Sequence, residues 1–183
     1  MKRSAGLAIL LSLFAGTAAG AATAPAAKLP PSETALMGKP FVLDFYNFTV
    51  RAVTWLPDSS PAMQKVGRSS DEGKGSLVIT ADIKNSSDHS SSAPDNVMQA
   101  IFKDGSATGE DSSTAYTTTW KPLAGSYEPG DGTTAYFVVA NVEKPTAENP
   151  ITKLVLHASY SGTKPELVRL LTPPVAVGVE PAR

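Results

Sequence analysis

Residues 75–85 read Gly-Ser-Leu-Val-Ile-Thr-Ala-Asp-Ile-Lys-Asn, and the reading of this stretch decides the fold. Leu77, Ile79, Ala81 and Ile83 share one parity, while Thr80, Asp82 and Lys84 share the other. Successive side chains of an extended chain point to opposite faces, so the pattern predicts a strand with one face in a core and one in water. The alternation stops at Asn85 and gives way to SSDHSSSAPDN, residues 86–96. That segment is too polar to pack, and it is predicted to be a mobile connection between two strands, of the kind in which rigid scaffolds often carry binding functions.

The same period of two recurs outward from this strand. Leu154, Leu156, Ala158 and Tyr160 alternate with Lys153, His157 and Ser159, which sends His157 to the surface. Phe41, Leu43 and Phe45 alternate near the start, and Phe48 and Val50 continue the series before the parity switches to Val53 and Trp55. One extra residue near Arg51 or Ala52, a β-bulge, returns both sets to the same face and puts Trp55 in the core. Residues 97–103, VMQAIFK, read as a strand closed by the turn pair Asp104-Gly105. Residues 116–120, YTTTW, are rich in β-branched and aromatic side chains and read as another. Residues 133–142 are apolar on both parities, the mark of a central strand covered on both sides. Leu167 to Leu171 is the last strand, and Val175 to Val179, set among Pro173, Pro174 and Pro181, is at most an edge strand because proline has no amide to donate. No amphipathic helical repeat stands out beyond the N-terminal segment. Seven or eight short strands with turn-rich connections predict an all-β antiparallel sandwich, with a small closed barrel as the alternative architecture.

The first residues, MKRSAGLAILLSLFAGTAAGAATA, have a basic start, an apolar stretch from Ala5 to Ala15 and small residues after it. This is the build of a secretory signal, with cleavage expected after Ala21. The apolar stretch falls short of the roughly 20 residues that span a bilayer, so a retained anchor is the poorer reading. The expected organisation is a signal peptide at 1–21, a flexible Ala/Pro-rich spacer at 22–36, one sandwich domain at 37–172 and a Pro-rich tail at 173–183. The formal charge is minus one, and minus three without Lys2 and Arg3. Lys and Arg do not cluster, which argues against nucleic acid as a partner. The absence of cysteine excludes disulfides, a thiol nucleophile, a Cys-ligated metal and a lipid-modified cysteine.

Three stretches in order, ADIKN at 81–85, IFKDG at 101–105, and YEPGDG at 127–132 leading into TTAYFVVANV, resemble the uncharacterised immunoglobulin-like domains of exported bacterial proteins. That group is similar in fold to the mycobacterial immunoprotective extracellular antigen, and the resemblance runs from about Met37 to Tyr160. It implies an immunoglobulin-like β-sandwich and no assigned chemistry, and it is silent about the long segments at 57–75 and 86–96. Each motif also has its own physical reason. Asn85 closes a strand by bonding local backbone, Asp104-Gly105 supplies a positive φ, and Pro129-Gly130 presets a turn before a buried strand.

Catalytic residues are not expected. Asp88, His89 and the neighbouring serines are consecutive, whereas a triad is assembled in space, and no G-x-S-x-G elbow exists. Two histidines and no cysteine leave only an oxygen-donor metal site. The acidic loops lack calcium-loop spacing, so Asp104, Glu110 and Asp111 read as solvated turns, with a weak calcium contact as the lesser alternative and no metal or cofactor expected. Two matches to the glycan-acceptor pattern, at Asn47 and Asn85, are coincidental in a chain with a bacterial-looking signal. The binding candidates are Tyr116, Trp120 and Tyr127, aromatic residues around one loop region that could form a platform for a sugar or a protein. The competing reading packs Trp120 under the following KPLAGS segment.

The expected function is therefore an exported noncatalytic immunoglobulin-like module, a monomer in the periplasm or outside the cell, that binds an unknown protein or envelope component through its loops. A secreted hydrolase or sugar-active enzyme is the alternative, and a passive structural or antigenic envelope protein is a second.

Overall fold

The computed structural model describes residues 32–43, 45–94, 96–108, 113–158 and 168–181. The expected signal peptide and most of the expected spacer lie outside them. At the centre are three long antiparallel strands, β3 (Tyr46–Pro57), β4 (Lys74–Asn85) and β9 (Gly132–Glu143), paired in the order β3-β4-β9. β4 is the strand read first from the sequence, and Leu77, Ile79, Ala81 and Ile83 are all buried. The expected bulge is present. The β3–β4 register shifts between Val50 and Ala52, so Val50 and Val53 are both buried and Arg51 is exposed. β9 is buried continuously from Ala135 to Val139, as a strand covered on both faces should be.

The short strand β7 (Thr114–Thr117) extends this sheet beyond β9, and three separate pieces cover the outer side of β3. β2 (Phe41–Leu43) folds back antiparallel onto its start, the Gly38 amide donates to the Val50 carbonyl at 2.9 Å, and β12 (Val175–Val177) runs parallel beside Val53 to Trp55. The tail thus supplies the edge strand that its sequence allowed. A second sheet has the order β1 (Ser32–Ala35), β11 (Val168–Leu171), β10 (Ile151–Ala158), β6 (Asn96–Phe102). Met98, Ala100, Leu154, Leu156 and Leu171 from this sheet meet Phe48, Ile79, Phe137 and Val139 from the first in one buried core. Two facing sheets around one core make the expected antiparallel immunoglobulin-like β-sandwich, not the closed barrel.

Several expectations need correction. Ser32–Ala35, placed in the spacer, is strand β1, paired parallel with β11. Its pairing is made by backbone groups, which composition does not reveal. The described residues hold twelve strands against the expected seven or eight, because β1, β2 and β12 are short edge pieces and the two-residue β5 (Ser91–Ser92) and β8 (Ser126–Tyr127) form a small sheet of their own. The 57–75 segment contains a one-and-a-half-turn helix, α1 (Pro61–Val66), where no helix was expected. Its signals are local and too brief to register as periodicity. The Ser60 side chain accepts from the Met63 amide, Pro61 opens the helix, and Gly67 at φ 64 closes it. Ala62 and Met63 pack with Leu56 and Val78 on the outer face of the sheet, so β4 is covered there as well.

The segment 86–96 is not a bare connection where it is described. Asn85 is buried, and its amide donates to the carbonyls of His89 (2.9 Å) and Tyr127 (2.7 Å) while its oxygen accepts from the Ser87 amide and hydroxyl. The Tyr46 hydroxyl donates to the Ser91 and Ser92 carbonyls, and β5 pairs with β8. A polar segment packs here because its backbone is bonded by buried polar side chains, not because it is apolar.

Candidate functional site

Tyr116 and Trp120 come together, and Tyr127 does not join them. β7 ends at Thr117, and the chain turns back so that the Thr117 amide donates to the Lys121 carbonyl and the Trp120 amide to the Thr117 carbonyl. This is a three-residue hairpin loop, a geometry whose last loop position is left-handed and normally glycine. Trp120 occupies that position at φ 64, so it lies in a turn and not in the strand read from its sequence. A bulky residue at positive φ is a genuine outlier.

The strained turn lays the Trp120 ring over the sheet. Its centroid is 4.6 Å from that of Tyr136 and 6.3 Å from that of Tyr116, while Trp120 itself stays partly exposed. Tyr136 and Tyr116 are buried beneath. The indole therefore packs on strand aromatics of the outer face, and a backbone bridge joins Tyr116 to Pro122 of the KPLAGS segment that follows. Tyr127 instead packs against the core between the sheets, edge-on to Tyr46 at 6.2 Å. Burial pushes its hydroxyl pKa upward. Strand parity could not separate the three aromatics, because two of them follow turns whose direction is set by backbone conformation.

Sequence reasoning missed the polar group beside this cluster. The bulge aims Arg51 across the sheet, and its guanidinium meets Asp82 Oδ2 through Nε (2.7 Å) and Nη2 (2.6 Å). Thr134 donates to Asp82 Oδ1 at 2.7 Å. The Thr134 hydroxyl foremost, and the Arg51 guanidinium with it, hold the Asp82 carboxyl below its ordinary range against the opposing effect of burial. Asp82 pairs with Thr134 and Thr80 with Tyr136, so the ion pair lies one row along the same face from the aromatic cluster. The bulge predicted from parity was the signal that could have found Arg51.

The other expected sites are distributed as follows. His89 Nδ1 lies 3.0 Å from Asp88 Oδ1, and its ring is edge-on to Phe45. The Ser87 hydroxyl bonds the His89 carbonyl and Asn85, not the imidazole, so the three do not form a nucleophilic relay. Asp104 accepts from Ser106 and Asn149 as the anchor of its turn. Glu110 and Asp111 lie outside the described residues. An open groove of about 370 Å³ between the β9–β10 connection and the C-terminal strand is lined by Pro145, Pro150, Pro173, Pro174 and Val175 among others, none of them titratable. No cluster of three or more His, Asp or Glu suited to a metal occurs among the described residues, and no helix among them is long and apolar enough to cross a membrane.

No family model and no curated protein matches this chain, and nothing in the comparisons links it to the mycobacterial antigen. Among solved structures it is similar to an uncharacterized β-sandwich protein from Clostridium difficile 630, at 15% identity over 81% of this chain and 98% of that one, with a TM-score of 0.48. It is also similar to the yjhA protein of Bacillus subtilis, at 14% identity over 76% of this chain and 98% of that one, with a TM-score of 0.36.

Proposed function

We propose that the protein is an exported, noncatalytic, monomeric immunoglobulin-like module that binds a protein or other envelope component through the surface around Trp120. The observation that carries this reading is the left-handed Trp120, held over Tyr136 in a turn position where glycine is the unstrained choice. Such strain costs about 1–3 kcal/mol and gathers at functional positions. Half-exposed aromatics on a rigid scaffold are also the side chains that contribute most to recognition. The order of the ADIKN, IFKDG and YEPGDG segments within this sandwich supports the likeness to exported immunoglobulin-like domains, and the N-terminal sequence supports export.

Capture from the envelope fraction of the source bacterium tests the binding. Trp120→Gly is the suitable variant, because glycine accepts φ 64 without strain. The variant should keep the fold and lose the component that wild type retains. Undiminished capture would refute the reading. Export is tested by the intact mass of the exported protein, which should begin at Ala22.

A further inference from the structure

We infer that the ligand of this surface is a neutral glycan chain, one sugar ring stacked on Trp120 and a neighbouring ring hydrogen-bonded by Arg51, Asp82 and Thr134. The inference rests on the binding reading above and adds the chemistry of the ligand. A pyranose offers two kinds of surface: a flat patch of C–H bonds and a rim of hydroxyls that donate and accept. The outer face of the sheet offers the complement of both. Trp120 presents a partly exposed indole whose orientation is fixed by Tyr136 and Tyr116. One row away, the Asp82 carboxylate can accept from a hydroxyl while Arg51 donates to its neighbour, the paired geometry that suits vicinal oxygens.

The spacing fits a chain and not a single ring. Tyr136 pairs with Thr80, and Thr134 with Asp82, so the aromatic and polar rows are two residues apart along the strands, about 7 Å. The half-buried Thr80, opposite Tyr136, carries the aromatic row across to β4 on the same parity. Charge favours a neutral ligand. Arg51 and Asp82 neutralise each other, Lys74 at the far end of that parity of β4 is paired with Asp71, and the exposed Lys84 adds one more positive charge, too little to gather a polyanion. Two departures from ordinary strand geometry build the surface, the bulge that aims Arg51 and the left-handed turn that places Trp120. A protein ligand would be expected to find a broader apolar patch than one indole beside an ion pair.

Titration of the full chain with cellohexaose, xylohexaose, maltohexaose and chitohexaose, followed by tryptophan fluorescence, tests the inference. Trp55 is buried with its Nε1 bonded to the Val142 carbonyl, so Trp120 dominates any ligand-dependent change. At least one hexasaccharide should give saturable binding at millimolar or lower concentration, unchanged between 50 mM and 500 mM NaCl. Measured by calorimetry, it should weaken at least tenfold in Trp120→Gly, Arg51→Ala and Asp82→Ala, and recover in part in Trp120→Phe. Binding indifferent to Arg51→Ala and Asp82→Ala would overturn the placement, and steep salt dependence would overturn the neutral ligand. If all four sugars fail while envelope capture still depends on Trp120, the glycan inference falls and the binding reading stands. Capture that survives Trp120→Gly removes both.

Discussion

Single residues show how parity turns into energy. Ile79 is fully buried between the sheets, whereas Asp82, three residues along β4, faces outward with its side chain about two-fifths exposed. Ile79→Asp should leave no folded population, because an unpaired buried charge costs at least several kcal/mol against a total stability of about 5–15 kcal/mol. Asp82→Ala should fold and melt close to wild type. Near-identical melting curves for Ile79→Asp and wild type would show the register to be wrong. Asp82 has a depressed pKa, so whatever stability its bonds to Thr134 and Arg51 add is present above the ordinary carboxylate range. It is lost as pH falls through the depressed value. Ser76 makes the opposite case. Its hydroxyl is fully buried, on the parity of β4 that carries Val78, and has no hydrogen-bond partner among the described residues. Ser76→Ala removes that desolvated group, and it should stabilise the protein by about 1 kcal/mol, raising the melting temperature by about 2–4 °C. A lowered melting temperature would mean that the hydroxyl is satisfied.

At the scale of elements, the 86–96 segment separates two sources of stability. Considered as a tether alone, shortening it changes loop-closure entropy by only about 0.6 kcal/mol per doubling of length. Replacing Ser87 to Ala93 by a few glycines, however, removes Ser87 and His89 from Asn85, the Ser91 and Ser92 carbonyls from the Tyr46 hydroxyl, and the β5–β8 pair. Each buried polar group that loses its partner costs about 1–3 kcal/mol. The shortened protein should therefore melt at least about 3 °C below wild type, and unchanged melting would restore the view of a passive connection. The long strands were legible in the sequence because a half-buried strand writes its two faces into alternate residues, and even the bulge at Arg51 appeared as a break in that alternation. β1, β5 and α1 were not legible. Ser32–Ala35 pairs through backbone, Ser91–Ser92 is fixed by Tyr46 and Tyr127 far away in sequence, and α1 is too short to show a helical period. The candidate site divides the same way. Tyr116 and Trp120 were found as aromatics, but the left-handed turn that joins them to Tyr136 depends on φ at one residue, which no pattern of apolar and polar side chains records.

For the molecule as a whole, the open question in any two-sheet sandwich is how its edges avoid pairing with another copy. The outer side of β3 is closed by β2, by Gly38 and by β12, and β12 is a poor template itself: three residues long, preceded by Pro173-Pro174 and ended by Gly178. The same tail holds the helix on the other face, since the Ala62 amide donates to Glu180 Oε1 at 2.9 Å. Ending the chain at Pro174 should therefore act at two places at once. It exposes the backbone of Val53 to Trp55, whose side chains remain buried in the sheet, and it takes the carboxylate from the first turn of α1. The truncated protein should melt below wild type and associate in a concentration-dependent way, seen as a rising mass by size-exclusion chromatography with light scattering. Glu180→Gln in the full-length chain separates the contributions: it should lower stability slightly, by well under about 1 kcal/mol at this exposed position, and leave the mass in solution equal to that of wild type. A truncated chain that stays monomeric at high concentration would show that the edge of β3 is protected by its own bulge and twist, and that β12 serves only to anchor the tail.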